Sequence, residues 1–328
     1  MSVHSQRTIL AATDEGLHLF NGEGAVRVDD LAGPEVRALA DGPDGWWALV
    51  EGRELWRSAE GHSWTPVATV ARRKATCLAA TPRGLLVGTA RAHLLRLERD
   101  RLVPVPSFDE AEGRDEWYTP WGAPADVRSI SAGAEGEVYV NVHVGGVVRS
   151  TDGGATWRPT LNIEHDVHQV LALPARPGLV LVAAADGFGV SEDGGDTWRW
   201  DNAGLHAHYC RAVALADDTV LLSASTGHRG RRATVYRRRL DGNERFEPCR
   251  VGLPEWFANN VDTGCLAAWG RTVVVGTEDG CVFLSADAGE HWDAVAKGLA
   301  PVRAVALGGV PPDVEIERRS SGASLPAQ

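Results

Sequence analysis

Four arginines and one histidine stand at equivalent places in a short phrase that recurs along the 328-residue chain. The phrase reads VRALA at 36, TCLAA at 76, VRSISA at 127, VHQVLA at 167, CRAVAL at 210, TGCLAA at 263 and VRAVAL at 302. Its second position holds Arg37, Cys77, Arg128, His168, Arg211, Gly264 and Arg303. A guanidinium presents a planar fork of donors that fits carboxylate or phosphate. Arg37, Arg128, Arg211 and Arg303 at one structural position therefore predict an anion-attracting funnel. The opposing reading has each arginine neutralise an acid in a facing turn, with Asp14, Glu51, Asp186 and Glu278 in range.

The histidines sort toward the same end of the strands. His143 falls in a turn between apolar runs, and His165, His168, His206 and His208 lead into recurring phrases. Three or four imidazoles at one mouth could bind a divalent transition metal, which makes His143, His168, His206 and His208 metal-ligand candidates. They could equally supply a general base, with His143 and His168 foremost. Two longer connections, 106–126 and a second comprising 225–236 and 247–262, carry Trp121, Trp256 and Asn260, which suit a flat or sugar-like ligand. Glu255 and Asp262 are the nearby carboxyl pair, and glycoside cleavage needs two such groups.

These residues need a scaffold that gathers distant positions. The phrases recur at intervals of 40, 51, 40, 43, 53 and 39 residues. Each is followed by further β-branched runs broken by Gly/Asp turns, as in "TVVVGTEDGCVFLS", which read as strands. A period near 40 with four strands per unit is the signature of propeller blades. The expectation is an all-β, seven-bladed β-propeller with four-stranded antiparallel blades over 1–307. The last phrase has no strands after it and the first strands, "TILAATDEGLHLF", have no phrase before them. Val302–Leu307 should therefore be the innermost strand of the blade that the N-terminus begins, which removes a free edge.

A second repeat lies inside the first: "STDGGATW" at 150–157, "SEDGGDTW" at 191–198 and "SADAGEHW" at 285–292, with a shortened "SAEGHSW" at 58–64. On these motifs the chain resembles the Asp-box (BNR) repeat propellers, which include sialidases, sortilin-like receptors and photosystem assembly factors. The resemblance implies that the boxes are structural hairpins between third and fourth strands. Asp152, Asp193 and Asp287 would tie the turns, and Trp157, Trp198 and Trp292 would pack between blades. It also implies a funnel opposite the boxes that binds a small anionic ligand, as a hydrolase or lyase, or else a protein-binding scaffold. Sialidases use a Tyr nucleophile, and Tyr209 is the best-placed match, but their Arg-Ile-Pro motif is absent.

Composition narrows the classes. A net charge of −11 argues against general nucleic-acid affinity. No apolar run reaches the roughly 18 residues of a membrane span, and no signal-peptide pattern opens the chain, so the expected address is cytoplasmic. Five Cys without C-x-x-C spacing read as reduced, mostly buried thiols. The Pro/Ser-rich segment 308–328 reads as a mobile tail without catalytic duty.

Overall fold

A computed structural model describes residues 8–21, 24–119, 121–241 and 244–308; the expected tail lies outside these residues apart from Gly308. Seven sheets of four antiparallel strands form the ring. Their innermost strands are, in blade order I to VII, Val302–Gly308, Val36–Gly42, Ala75–Thr81, Val127–Ala132, Val167–Ala172, Tyr209–Ala216 and Leu266–Trp269. Blade I closes as expected: Val302–Gly308 pairs antiparallel with Thr8–Thr13, from Thr8 opposite Gly308 to Thr13 opposite Val302. Among the described residues no helix is long and apolar enough to cross a membrane.

The core lies between blades. Alternation along each strand gives every sheet two apolar faces, and each cluster draws on neighbouring sheets. Leu221 and Val235 of blade VI, for example, pack with Val273, Phe283 and Trp292 of blade VII. Four of the five thiols are buried, and all are free.

The box turns follow one bonding scheme. Ser150 Oγ accepts from Gly154 N at 2.7 Å and donates to Asp152, whose carboxylate accepts from Thr156 N at 2.9 Å and Thr156 Oγ1 at 2.6 Å. Asp193 and Asp287 repeat this, with Thr197 and His291 as donors. Trp157 and Trp292 are buried between blades, and Trp198 is half-buried. The shortened turn lacks its own Asp, and Trp64 N donates instead to Asp30 of the adjacent blade at 2.8 Å.

One irregularity recurs where the inner strands enter the ring. Val36 pairs with Val50 but Ala38 with Leu49, so Arg37 has no opposite number. The same slip leaves Arg128, His168 and Arg303 unpaired, and falls at Cys210–Val213 around Arg211. These are β-bulges, which bend a strand and redirect a side chain. In blade III the bulged residue is Thr76, not Cys77 as the phrase alignment has it. Neighbouring blades satisfy backbone groups beside the bulges: Thr76 Oγ1 donates to Val127 O at 2.6 Å and Asn141 Nδ2 to Val167 O at 2.7 Å.

Candidate functional site at the axial mouth

The bulges deliver Arg37, Arg128, Arg211 and Arg303 to one axial cavity of about 480 Å3, together with His143, Asn260 and Asp262. Strands reverse at each turn, so this mouth lies at the end of the blades opposite the box turns.

Each arginine has an acidic neighbour. Arg303 makes two bonds to Asp14, at 2.6 and 2.5 Å, and lies 3.8 Å from Glu278. Arg37 meets Glu35 at 2.6 Å. Arg128 meets Asp166 at 3.2 Å. Arg211 Nε is 2.6 Å from Asp262 Oδ1, but off the line of a hydrogen bond, so the contact is an ion pair only. Asp14 and Glu278 were the expected partners; Glu51 makes no such pair among the described residues, and Asp186 pairs with His165 instead. Pairing does not exhaust the guanidinium donors: the buried Nε atoms of Arg37 and Arg211 have no hydrogen-bond partner among the described residues.

Asp166 is the residue that sequence reading passed over. It meets Arg128, His143 Nε2 at 3.5 Å and His168 Nε2 at 3.4 Å. His168 is fully buried. Its Nδ1 lies 2.5 Å from the Cys210 carbonyl, which can only accept, so Nδ1 carries a proton. The His168 ring stacks edge-on against Tyr209 at 4.7 Å, and Tyr209 Oη accepts from Arg211 Nη1 at 3.2 Å. Tyr209 thus supports Arg211. Burial, then Arg128, pushes the His143 pKa down to about 4, so the ring is neutral at pH 7. Burial would raise the Asp166 pKa, but His168 and Arg128 outweigh it and hold Asp166 ionised.

His143 sits in a strained turn. Val144 has φ +41°, a left-handed conformation that β-branched residues rarely adopt. Gly146 has φ +65°, and a Cβ there would strike the Leu161 carbonyl. A Cβ on Gly145 would meet Val142 and the Trp117 ring. The Val144 carbonyl accepts from Tyr118 N at 3.3 Å, which docks the 106–126 connection onto the turn. The connection splits its aromatics: Trp117 packs on Phe108 at 5.6 Å, whereas Trp121 is 69% exposed and meets the His143 ring edge-on at 4.8 Å.

Other expected site residues fall elsewhere. His206 stacks on Tyr236 at 5.9 Å, takes a 2.8 Å bond there and leans on Trp256 at 5.1 Å. His208 is exposed. Neither lines the cavity, and His168, although it sits at a bulge, is fully buried against the Cys210 carbonyl and does not line it either. The four-histidine metal set therefore does not assemble: only His143 reaches the cavity among the four, and His206 and His208 precede the bulge of their strand. Among the described residues, the His/Cys/Asp/Glu group with donor atoms within 4.8 Å is Asp287, Glu290 and His291, on an exposed box turn. Glu255 is exposed and outside the cavity that Asp262 lines, so these two carboxyls do not form the expected pair. Trp256 is half-buried beneath Arg250, 5.1 Å above its ring. Asn260 lines the cavity but also holds the 227–230 turn through His228 O at 3.2 Å.

No protein-family model matches the chain, and no curated protein does. Solved structures do. The GH74 xyloglucanase from Xanthomonas campestris superposes with a TM-score of 0.69 at 17% identity, over 90% of this chain and 53% of that one. The GH74 enzyme of Niastella koreensis gives 0.63 at 15%, with coverage of 90% and 53%. The chain therefore spans about half the length of these enzymes. The WD40 β-propeller domain of Doa1 gives 0.57 at 15%, over 88% and 85%. At these identities the likeness concerns the fold.

Proposed function

We propose that the axial cavity binds a small molecule bearing a carboxylate, phosphate or similar oxyanion, with His143 as its acid–base group. The observation that carries this is the convergence of four arginines, each redirected by a strand irregularity, on one cavity, with side chains still 16–34% exposed beside their acids. A cavity of about 480 Å3 suits a ligand of metabolite size. The reactions in keeping with this site are hydrolysis or elimination at a carbon near the anion. His143, neutral and set beside Asp166, would receive or return the proton. The three box turns with matching bonds support assignment to the Asp-box propellers.

Thermal unfolding against a panel of carboxylates, sugar acids and sugar phosphates tests this reading. A ligand at 100 times its Kd stabilises by about 2.7 kcal/mol, or roughly 4 °C at about 2.1 cal/mol/K of unfolding entropy per residue for a domain of this size. A shift that disappears in Arg128→Met and Arg211→Met supports the reading. A panel without effect, or a shift that survives both substitutions, refutes it. A protein-binding scaffold is the second reading, favoured by the exposed Trp121 and Tyr118, at 69% and 51%. Loss of partner capture in Trp121→Ala with the panel inert would select it.

A further inference from the structure

The axial cavity changes character with depth. In five blades the residue two places beyond the bulge also lines it: Leu39, Leu78, Ile130, Val170 and Val305. At a strand rise of about 3.3 Å per residue, this band lies about 7 Å further into the ring than the bulges. The four arginines stand at the bulges, and His143, Asp126, Asp262 and Glu278 stand in the turns and connections at the mouth. Beyond the bulges the described lining residues carry no charge.

Polar side chains in the wall are spent on neighbouring strands. Thr76 donates to Val127 O, and Ser129 donates to Asn141 and accepts from Val170 N. Ser131 bonds both Ala172 O and Ala172 N, and Thr263 lies 3.0 Å from the His168 and Arg211 carbonyls. Gln169 Nε2 donates to Val213 O, and its Oε1 is buried. What the deeper wall offers a ligand is therefore chiefly aliphatic surface.

We propose that the ligand of this cavity is a short aliphatic monocarboxylate, its head on Arg128 and Arg211 and its hydrocarbon tail in the apolar band. This rests on the oxyanion reading above and names its substrate class. The acids decide where the head goes. Arg37 and Arg303 face the carboxylates of Glu35, Asp14 and Glu278, whereas Arg128 and Arg211 face one each, Asp166 and Asp262. In ring order, blades I and II lie opposite the arc from IV to VI, so the acid-rich pair faces the other across the cavity. A second anionic group on the ligand would meet that acid-rich side and be repelled. One charge and an apolar remainder fit. Each methylene that the band takes from water is worth about fourfold in affinity. Leu78 and Ile130 also pack between blades, which keeps the band preformed.

Butanoate, hexanoate and adipate, titrated calorimetrically into the full chain at pH 7.5, are the probes; adipate has the length of hexanoate but a charge at its far end. Hexanoate should bind at least about fivefold more tightly than either. Its heat-capacity change should be more negative than that of butanoate. Leu39→Asn and Leu171→Asn, at half-buried lining positions, should narrow the gap between hexanoate and adipate. Butanoate or adipate binding as tightly as hexanoate, but lost in Arg128→Met/Arg211→Met, would overturn the tail assignment and leave the oxyanion reading standing. A gap unchanged in both folded Asn variants would also overturn the tail assignment. No binding of the three probes up to about 10 mM, or hexanoate binding that survives the arginine substitutions, would overturn both.

Discussion

Replacing Arg128 by Met tests whether the arginine mouth works as one electrostatic unit. The substitution keeps most of the side-chain volume and removes one charge. Arg128 lies 3.2 Å from Asp166, and His143 Nε2 lies 3.5 Å from the same carboxylate. Burial is the first influence that holds the His143 pKa down at about 4, and Arg128 is the second. Without Arg128 the desolvation remains, but the repulsion goes and Asp166 attracts the imidazolium with less competition. A charge at this range is worth about 1 pKa or somewhat more, so the His143 midpoint should rise to roughly 5 or above. The same change removes charge-assisted donors from the cavity, worth about 1.5–3 kcal/mol; anion affinity should fall about 10- to 150-fold. NMR titration of the His143 ring between pH 3 and 8 reads the first effect, and calorimetry with the tightest anion of the panel reads the second. An unmoved His143 midpoint would refute the coupling. Unchanged affinity would refute the role of Arg128 in binding.

Arg238 is 4% exposed, bonds Asp201 at 2.6 Å and lies 4.3 and 5.5 Å from the Phe246 and Phe188 rings. Arg238→Met should cost about 2–4 kcal/mol in denaturant unfolding, the low side of a broken buried pair because Asp201 keeps Arg199. Asp30→Ala should cost about 1–3 kcal/mol by orphaning Trp64 N in the shortened box turn. Hydrogen bonds from Thr156 hold Asp152 well below the usual carboxylate range, as those from Thr197 hold Asp193. Asp287 lies at about 2, because bonds from His291 and Ser285 outweigh burial. Their folded pKa values are depressed below the ordinary 3.8, so the stability they add is complete above pH 4 and is lost as pH falls toward 2. Unfolding midpoints should drop over that window, and Asp287→Asn should flatten the drop.

The ring was legible because its signals are local and repeated: the apolar phrase, the Gly/Asp turns and the two half-blades at the ends. The arginines were legible for the same reason, since a residue at a bulge recurs at one place in the phrase. The register of blade III was misread because Ala75 and Cys77 are both small and apolar, so pattern alone could not show that Thr76 bulges between them. Asp166 was missed although a signal existed. Acid, Val, then Arg or His occurs at 35–37, 126–128 and 166–168; the acid Glu35 pairs with Arg37 of its own strand, and the acid Asp166 pairs with Arg128 of the preceding blade. Glu255 and the histidines at 206 and 208 drew attention by type. Side-chain direction in a long connection depends on packing with other blades, as His206 on Tyr236 illustrates, and sequence spacing does not record that.

Crystals soaked in selenate give the most direct test of the anion mouth. The expected result is an anomalous peak inside the axial cavity, within hydrogen-bond reach of Arg128 or Arg211 and lost in the double Met variant. Selenate found only on the outer surface, with the cavity empty of it at high concentration, would contradict the assignment.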